Sequence, residues 1–395
     1  MKRRQLMMLP GAAFVMPQGS AQTQQAARPS PSEAAEGTPE KILLKDYRPQ
    51  SIYKIPKTDI KKAKYPAIDI HCHGPRPIEA LGEWVKIMDA AGVEKAVIFT
   101  GANSGQRFAA IRQAYSKYPG HFDLWCSFDF TGIDQPGFGP SALTALEDCH
   151  RMGALGVGEI IDKGRGFRGF TPGAGRAGAG AGAAARGTPP ATPGAHPDDP
   201  RMDALWDKCA QLGMPINIHV SDPIWAYRPM DKTNDGLMNA WRWRIDDKQP
   251  GILGHDGLIE SLERTAQKHR KTMFIASHLA NLDYDLTRLG QMFDRHPNLY
   301  ADISARFGET APVPRFVNQF FRKYPGRVLY GTDMTYTPRM FSNTFRILES
   351  LDDHFYDDHQ YHWPLYGFGL PDAVLKKVYR DNALTVFKKA RGSAR

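Results

Sequence analysis

Short apolar runs alternate with helical segments eight times along the chain, and this alternation restricts the fold more than any other feature. Runs rich in β-branched or apolar residues predict strands, and the segments between them carry apolar residues at the spacing of one helix face. Eight strand–helix repeats favour a closed (β/α)₈ TIM barrel, an α/β fold, over an open doubly wound sheet. The predicted strands are 67–71, 96–100, 122–128, 155–161, 216–220, 273–277, 299–303 and 328–330.

The helical segments follow these strands in order, as βα units require. The predicted helices are 78–91, 107–117, 141–152, 203–212, 258–268, 286–295, 315–324 and 341–351. A last amphipathic segment, 372–389, is expected to pack against the barrel rather than form a domain of its own. Because 395 residues suffice for one large barrel with additions, we place a single domain at 61–390.

Two segments have compositions that cannot form a packed core. Residues 22–60 are predicted to be a linker and N-terminal extension, and their first part is rich in Ala, Gln, Ser and Pro. Residues 164–197 consist largely of Gly, Ala, Arg, Thr and Pro without any hydrophobic period. This composition predicts a disordered insertion into the barrel after the fourth strand.

The first 21 residues have the three parts of an export signal. A basic start, Lys2 to Arg4, precedes a short apolar stretch, Leu6 to Met16, and a small-x-small cleavage site, Gly19 to Ala21. The apolar stretch is too short to span a bilayer, so no stable membrane insertion is expected. The chain is therefore expected to be periplasmic or secreted, with the paired arginines resembling a twin-arginine signal.

The net charge of +9 is concentrated in two short stretches. Residues 2–4 contribute +3 to this net charge and the acid-free residues 163–190 contribute +5, which leaves +1 for the rest of the chain. So small a charge on the folded body argues against nucleic acid as a partner. The four cysteines are too few and too irregularly spaced for a disulfide framework. We expect a small-molecule partner, and the oligomeric state, with a homodimer as one option, stays open.

Polar residues close several of the predicted strands. His71 and His73 follow the first strand, and alternation of side chains places both on one face. His219, His278 and Asp333 close strands five, six and eight. In a barrel the carboxyl ends of the strands form the site face, where unpartnered ionisable groups would be costly. A shared metal ion would partner all of them.

Three nitrogen ligands and one carboxylate, with one position open for water, are typical of a catalytic zinc site. A bound divalent ion lowers the pKa of its water to about 7. Asp333 is then expected to be a ligand, a proton acceptor or both. Glu159, at the fourth strand end, is either a ligand or a group that orients a ligand histidine. Zinc is the favoured metal, with manganese or iron as alternatives, and one ion is favoured over two.

Two phrases, Ile68-Asp-Ile-His-Cys-His-Gly74 and Leu329-Tyr-Gly-Thr-Asp333, resemble the amidohydrolase superfamily. The closest similarity is to its amidohydrolase-related branch, which includes enzymes like aminocarboxymuconate-semialdehyde decarboxylase. A closing phrase from Tyr366 to Phe387 is similar to the C-terminal helix of that branch. The resemblance covers about residues 67–389.

The resemblance implies a distorted TIM barrel in which His71, His73, His219 and Asp333 hold a divalent metal, typically zinc. It implies that His278 faces the metal-bound water as acid, base or orienting group. Many members carry a bridging lysine on the fourth strand, but this chain has Glu159 there. The insertion that follows the fourth strand is also atypical of the family.

The leading hypothesis is a metal-dependent hydrolase that uses metal-activated water on an ester, lactone or amide carbonyl, with Asp333 or His278 as the proton-transferring residue. The alternative is a zinc-dependent non-oxidative decarboxylase of an aromatic or unsaturated carboxylate, and a third is a barrel that binds without turnover. The long loop after the fifth strand, 221–256, is expected to form a lid or substrate wall. The residues expected to contact substrate are Arg76, Trp225, Tyr227, Arg228 and Arg306.

Overall fold

The computed structural model describes residues 40–168, 194–357 and 361–393. The export signal expected at 1–21, residues 22–39 of the expected linker and most of the expected insertion lie outside this part of the chain. The chain divides into two compact units, of which the first ends at Tyr47 and the second begins at Arg48. In the first unit, the described residues contain one 3₁₀ turn, Leu44–Asp46. All strands in the described residues belong to the second unit.

In the described part of the chain, eight strands alternate with helices, as the sequence predicts. The strands are β1 (Ala67–Cys72), β2 (Val93–Phe99), β3 (Phe122–Trp125), β4 (Val157–Asp162), β5 (Ile216–Val220), β6 (Phe274–Ala276), β7 (Leu299–Asp302) and β8 (Val328–Leu329). The helices are α1 (Leu81–Ala91), α2 (Gly105–Tyr115), α3 (Pro140–Arg151), α4 (Asp203–Leu212), α5 (Asp235–Ala240), α6 (His255–Lys268), α7 (Leu286–Arg295), α8 (Phe307–Thr310), α9 (Pro314–Lys323), α10 (Pro338–Glu349), α11 (Asp372–Lys376) and α12 (Asn382–Ser393). The short helices α5 and α8 are additions to the prediction, because they contain too few residues to show a period.

All neighbouring strands run parallel, and the two hydrogen-bonded sheets together close into one barrel. The sheets have the orders β1-β2-β3 and β4-β5-β6-β7-β8. A parallel bridge between Cys126 and Val157 joins β3 to β4. On the other side the Ile70 amide donates to the Tyr330 carbonyl at 3.1 Å, which joins β1 to β8. The predicted (β/α)₈ barrel is confirmed.

The C-terminal helix closes one end of the barrel. Val386 and Phe387 of α12 are buried in one cluster with Ile68 of β1 and Ile275 of β6. The Asn382 side-chain amide donates to the Val328 carbonyl at 2.8 Å, so α12 is fixed at the amino-terminal ends of the strands. The carboxyl ends at the opposite face therefore stay available for a site, and the predicted packing of 372–389 against the barrel is confirmed. None of the described helices is both long and apolar enough to cross a membrane.

Residues at both ends of the expected insertion meet in space, which makes a clean deletion feasible. The Phe167 amide donates to the Ala195 carbonyl at 2.7 Å, and the buried Phe167 ring stacks on Phe130 with 5.1 Å between centroids. Replacing 169–193 by two glycines is expected to leave the melting temperature and metal content nearly unchanged. Composition alone predicts that 166–194 is dispensable, but that longer deletion removes Phe167 and should cost roughly 3–5 kcal/mol. Thermal melting of both variants tests this, and unfolding of the shorter deletion would contradict it.

Candidate active site

Glu159 is the centre of a cluster of imidazoles at the carboxyl ends of the strands. Its side chain is only 4% exposed and projects from β4 into the barrel. The His219 Nδ1 donates to Glu159 Oε1 at 2.7 Å. The same carboxylate lies 3.6 Å from His71 Nε2, 3.4 Å from His73 Nε2 and 3.4 Å from His278 Nε2. Four histidines, from the ends of β1 and β5 and from the turn after β6, thus converge on one carboxylate.

Asp333 approaches the same histidines from the opposite side. Its carboxylate lies 3.2 Å from His73 Nε2 and 3.8 Å from both His71 Nε2 and His278 Nε2. The Asp333 amide donates to the His71 carbonyl at 2.8 Å, so closure of β8 onto β1 sets this position. The Asp333 side chain is 18% exposed, which makes it the more accessible of the two carboxylates. His71, His73, His278 and Asp333 therefore lie close together, and His219 joins them through Glu159.

A third carboxylate, Asp302, holds His71 and His278 in position through hydrogen bonds. It is fully buried at the end of β7 and accepts from His71 Nδ1 at 3.1 Å and from the His278 amide at 3.0 Å. The Asn217 side-chain amide also donates to Asp302, at 2.8 Å. The bond from Nδ1 leaves Nε2 of His71 to face the site. Asp302 is not among the predicted site residues, although its place at the end of an apolar strand was a usable signal.

The ring of His278 is oriented by a neighbouring backbone carbonyl. His278 Nδ1 donates to the Ser304 carbonyl at 2.8 Å, and the Ser304 hydroxyl donates to Asp302. The His278 backbone has a φ of 57°, in the left-handed region. Burial and the nearby charge of His219 lower the pKa of His278 to about 4. His278 is therefore neutral near pH 7, with Nε2 as an acceptor.

Asp69 anchors the turn that carries Asp333. The buried Asp69 carboxylate accepts from the Thr332 amide at 3.0 Å, from the Thr332 hydroxyl at 2.6 Å and from the Tyr336 hydroxyl at 2.9 Å. These bonds hold the segment before Asp333 against β1. Asp69 belongs to the motif at residues 68–74, but the motif alone predicts no role for it.

The charges of the acids control how the first histidine pair titrates. Burial by itself lowers the pKa of His71, but the negative charges of Asp302, Glu159 and Asp333 outweigh it and raise that pKa to about 9. In the same way Asp333 and Glu159 outweigh burial and raise the pKa of His73 to about 10. Without a metal, the cluster therefore holds positive charge on imidazoles to balance its carboxylates.

Two buried ring nitrogens show that these residues fit a metal ion. His71 Nε2 and His219 Nε2 are buried and have no hydrogen-bond partner in the described part of the chain. An unpartnered buried polar atom is costly, and a metal ligand needs a free ring nitrogen. Three overlapping groups of residues could each hold an ion, because within each group the ligand atoms lie within 4.8 Å of one another. The groups are His71, His278 and Asp333; His71, His73 and Glu159; and Glu159, His219 and His278. Nitrogen and carboxylate donors of this kind suit a divalent cation such as zinc.

A cavity of about 1360 Å³ opens above the cluster and receives some of the expected substrate-contacting residues. Arg76, Trp225 and Arg306 line it, together with Lys163 and the two tryptophans Trp84 and Trp243. Tyr227 and Arg228 do not line it. The 3₁₀ turn Ile224–Tyr227 directs Tyr227 to the Ser221 hydroxyl, at 3.0 Å, and leaves Arg228 exposed. The connection 221–256 therefore forms part of the cavity wall, and Trp225 and Trp243 are its large side chains there.

A sequence model of the amidohydrolase family matches residues 68–389. The chain belongs to the amidohydrolase family. The match covers almost the same residues as the resemblance seen in the sequence and confirms it. The barrel, the convergent histidines and carboxylates and this membership together identify a metal-dependent enzyme of the amidohydrolase superfamily.

Several solved structures are similar to this amidohydrolase at low identity. 4-Oxalomesaconate hydratase from Rhodopseudomonas palustris is 15% identical, with a TM-score of 0.47 over 83% of this chain and 97% of its own. IDCase from Metarhizium anisopliae is 11% identical, with a TM-score of 0.44 over 82% and 98%. A Burkholderia multivorans amidohydrolase with bound zinc is 11% identical, with a TM-score of 0.41 over 82% and 99%. No curated protein sequence matches the chain.

The guanidinium of Arg306 is engaged by other groups of the amidohydrolase. Nη2 donates to Asn281 Oδ1 at 2.7 Å, and Nη1 donates to the Ala305 carbonyl at 2.8 Å. The carboxylates of Asp283 and Glu309 lie 3.7 and 3.5 Å away. Arg306 is 6% exposed, so it forms part of a buried ion cluster at the cavity wall. A bidentate clamp on a substrate carboxylate needs two free parallel donors, which this arrangement does not offer.

Glu309 gives the stability of the amidohydrolase a defined pH dependence. Burial raises the pKa of Glu309 to about 7, although the charge of Arg306 opposes the rise. The folded state thus favours the protonated carboxyl. The stability that Glu309 contributes is fully present below the pKa of glutamate in the unfolded chain, and it is lost as pH rises through about 7. The shift corresponds to about 3 kcal/mol.

Glu309→Gln is expected to be as stable as the parent near pH 4 and more stable by about 3 kcal/mol at pH 8. Urea unfolding at both values measures this difference. Glu260→Gln, at a side chain that is 57% exposed, is the control and should change neither value. If the parent and Glu309→Gln lost the same stability between pH 4 and pH 8, Glu309 would not be the source of the pH dependence.

Proposed function

We propose that this amidohydrolase uses a bound divalent metal, zinc in the first instance, to hydrolyse a neutral ester, lactone or amide. The observation that carries the proposal is the meeting of four histidines, Glu159 and Asp333 below a large cavity, with two buried ring nitrogens unpartnered among the described residues. The proposed ligands are His71, His73, His219, Glu159 and Asp333. A metal held there lowers the pKa of a bound water and polarises a carbonyl oxygen.

The residues of the chain supply the proton transfers. Asp333 faces the cavity and is charged, so it is placed to accept a proton from the attacking water. The oxygen of that water forms a bond to the carbonyl carbon, and the bond from this carbon to the leaving oxygen or nitrogen breaks. Asp333 then returns the proton to the leaving group, which yields an acid and an alcohol or amine. His278, neutral and 3.8 Å from Asp333, orients the reacting groups through Nε2.

The cationic side chains Lys163 and Arg306 at the cavity already pair with acids of the chain, which favours a neutral substrate. Lys163 Nζ donates to Asp222 at 2.7 Å, and Arg306 lies between Asp283 and Glu309. These two cations are already balanced by buried carboxylates. The remaining arginine at the cavity, Arg76, is exposed at its mouth. A substrate carboxylate, which decarboxylation requires, would therefore lack a preformed buried cation other than the metal.

The test uses full-length protein loaded with zinc and a panel of phenyl esters, γ- and δ-lactones, anilides and dihydroxybenzoates. Acid release from an ester, lactone or anilide that stops after chelation and returns with zinc supports the proposal. Carbon dioxide release from the dihydroxybenzoates without any acid release would replace it by decarboxylation. Silence across the whole panel, with metal bound, would favour a binding protein.

A further inference from the structure

A second, smaller cavity lies beside the first and shares the carboxylate of Asp333 with it. Its volume is about 390 Å³, and Asp333, Thr335 and Tyr361 line both cavities. Asp333 thus stands where the two spaces meet. Asp333 is the proton-transferring residue of the proposed function, and a carbonyl beside it has space for one substituent on each side.

One face of α10 forms a wall of this second chamber. The lining residues of α10 recur at the spacing of one helix face: Arg339, Met340, Asn343, Thr344 and Ile347. Phe307, Met334 and Leu365 also line the chamber. The side chain of Arg339 has the Asp357 carboxylate 3.9 Å away, so its charge is balanced. The wall therefore combines the apolar side chains of Met340 and Ile347 with uncharged polar groups and the Arg339–Asp357 ion pair.

Asn343 differs from the other polar residues of this wall, Arg339 and Thr344. Within the described ranges its side-chain amide has no hydrogen-bond partner, whereas Thr344 bonds the Tyr330 hydroxyl at 3.0 Å and the Phe341 carbonyl at 3.0 Å. A primary amide offers donors and an acceptor. Asn343 can therefore hold a single polar atom of a ligand that is otherwise apolar.

We infer that the second chamber binds one of the two groups attached to the reacting carbonyl, a neutral, ring-sized apolar group with one polar atom for Asn343. This inference rests on the proposed function and names its substrate class: a two-armed compound with its carbonyl at Asp333. The size agrees, because a cavity of about 150 Å³ accepts benzene, and this chamber is larger. The wider cavity, with its tryptophans, takes the other arm.

The first experiment measures binding of benzamide to the metal-loaded protein by calorimetry, independent of catalysis. Asn343→Phe fills the chamber, and Ser342→Phe, the adjacent residue of α10 outside the lining, is the matched control. We expect the parent and the control to bind benzamide alike, and Asn343→Phe to bind it at least about tenfold more weakly. Equal binding by all three proteins, or no binding to the parent at about 10 mM, overturns the inference.

The second experiment compares hydrolysis of p-nitrophenyl acetate and p-nitrophenyl phenylacetate. Asn343→Phe should lower kcat/KM for the phenylacetate at least about tenfold while the acetate changes less than about threefold. A parallel loss for both esters contradicts a separate subsite. If neither ester is hydrolysed but benzamide binding is lost in Asn343→Phe, the proposed function fails while the chamber remains a ligand site.

Discussion

Replacing both His71 and His73 by alanine is expected to strip the metal and lower turnover by roughly 10⁴-fold or more. His71 is fully buried with Nε2 directed at Glu159, and His73 lies between Glu159 and Asp333. The double variant removes the nearest imidazole nitrogen of Asp333, His73 Nε2 at 3.2 Å, and two of the four imidazoles around Glu159. Elemental analysis after gel filtration measures the metal, and the ester or lactone assay measures turnover.

The fold of this double variant should survive in weakened form. Truncation of a buried imidazole that partners Asp302 leaves that carboxylate partly unsatisfied, at a cost of about 2–4 kcal/mol. The matched control is His121→Ala with His150→Ala, which removes two histidines that lie outside the cluster. The control should keep its metal and its activity. Full metal content in the His71 and His73 variant would exclude these residues as ligands.

The sequence predicts the barrel well because each strand is a short buried run bounded by residues of a different character. β5, at 216–220, and α7, at 286–295, coincide with their predicted limits. Boundaries shift where polar residues interrupt a buried run. β2 begins at Val93, before Glu94 and Lys95, because Val93 is buried and pairs with Ala67. Packing decides these limits, and the local pattern does not show it.

The site likewise contains residues that a strand end makes predictable and contacts that form only when the barrel closes. His71, His219 and Asp333 are conspicuous because an ionisable residue ends an apolar run. The role of Asp302 depends on His71, which is 231 residues away in the chain, and no spacing rule connects them. The reach of Glu159 to four histidines likewise depends on how β4 faces β1 and β5. The sequence alone therefore does not predict these contacts.

Side-chain direction within a loop is the feature least visible in the sequence. Arg306 follows a strand end and is a reasonable candidate for a substrate contact. Its guanidinium instead binds Asn281 and lies near Asp283, both in the segment after β6. The acids that neutralise it come from a neighbouring strand end and from α8, and their proximity follows from the barrel alone.

Asp333→Asn separates proton transfer from metal binding at this centre. Asparagine keeps the shape of the side chain but cannot accept a proton at neutral pH, so kcat should fall by about 10³-fold. Since His71, His73, His219 and Glu159 remain, most of the metal should be retained. KM should change little, because the substrate contacts are elsewhere in the cavities. The pH–rate profile should also lose the limb that reports the catalytic base.

The combination of results decides which role Asp333 has. Asp372→Asn, at a half-exposed surface carboxylate that pairs with Lys64, is the control and should leave kcat and metal content unchanged. Loss of kcat with metal retained assigns the proton transfer to Asp333, because removal of a required ligand would lower both together. Loss of metal in proportion to activity makes Asp333 a ligand alone and moves the proton transfer to His278. A variant that keeps both would remove Asp333 from the mechanism.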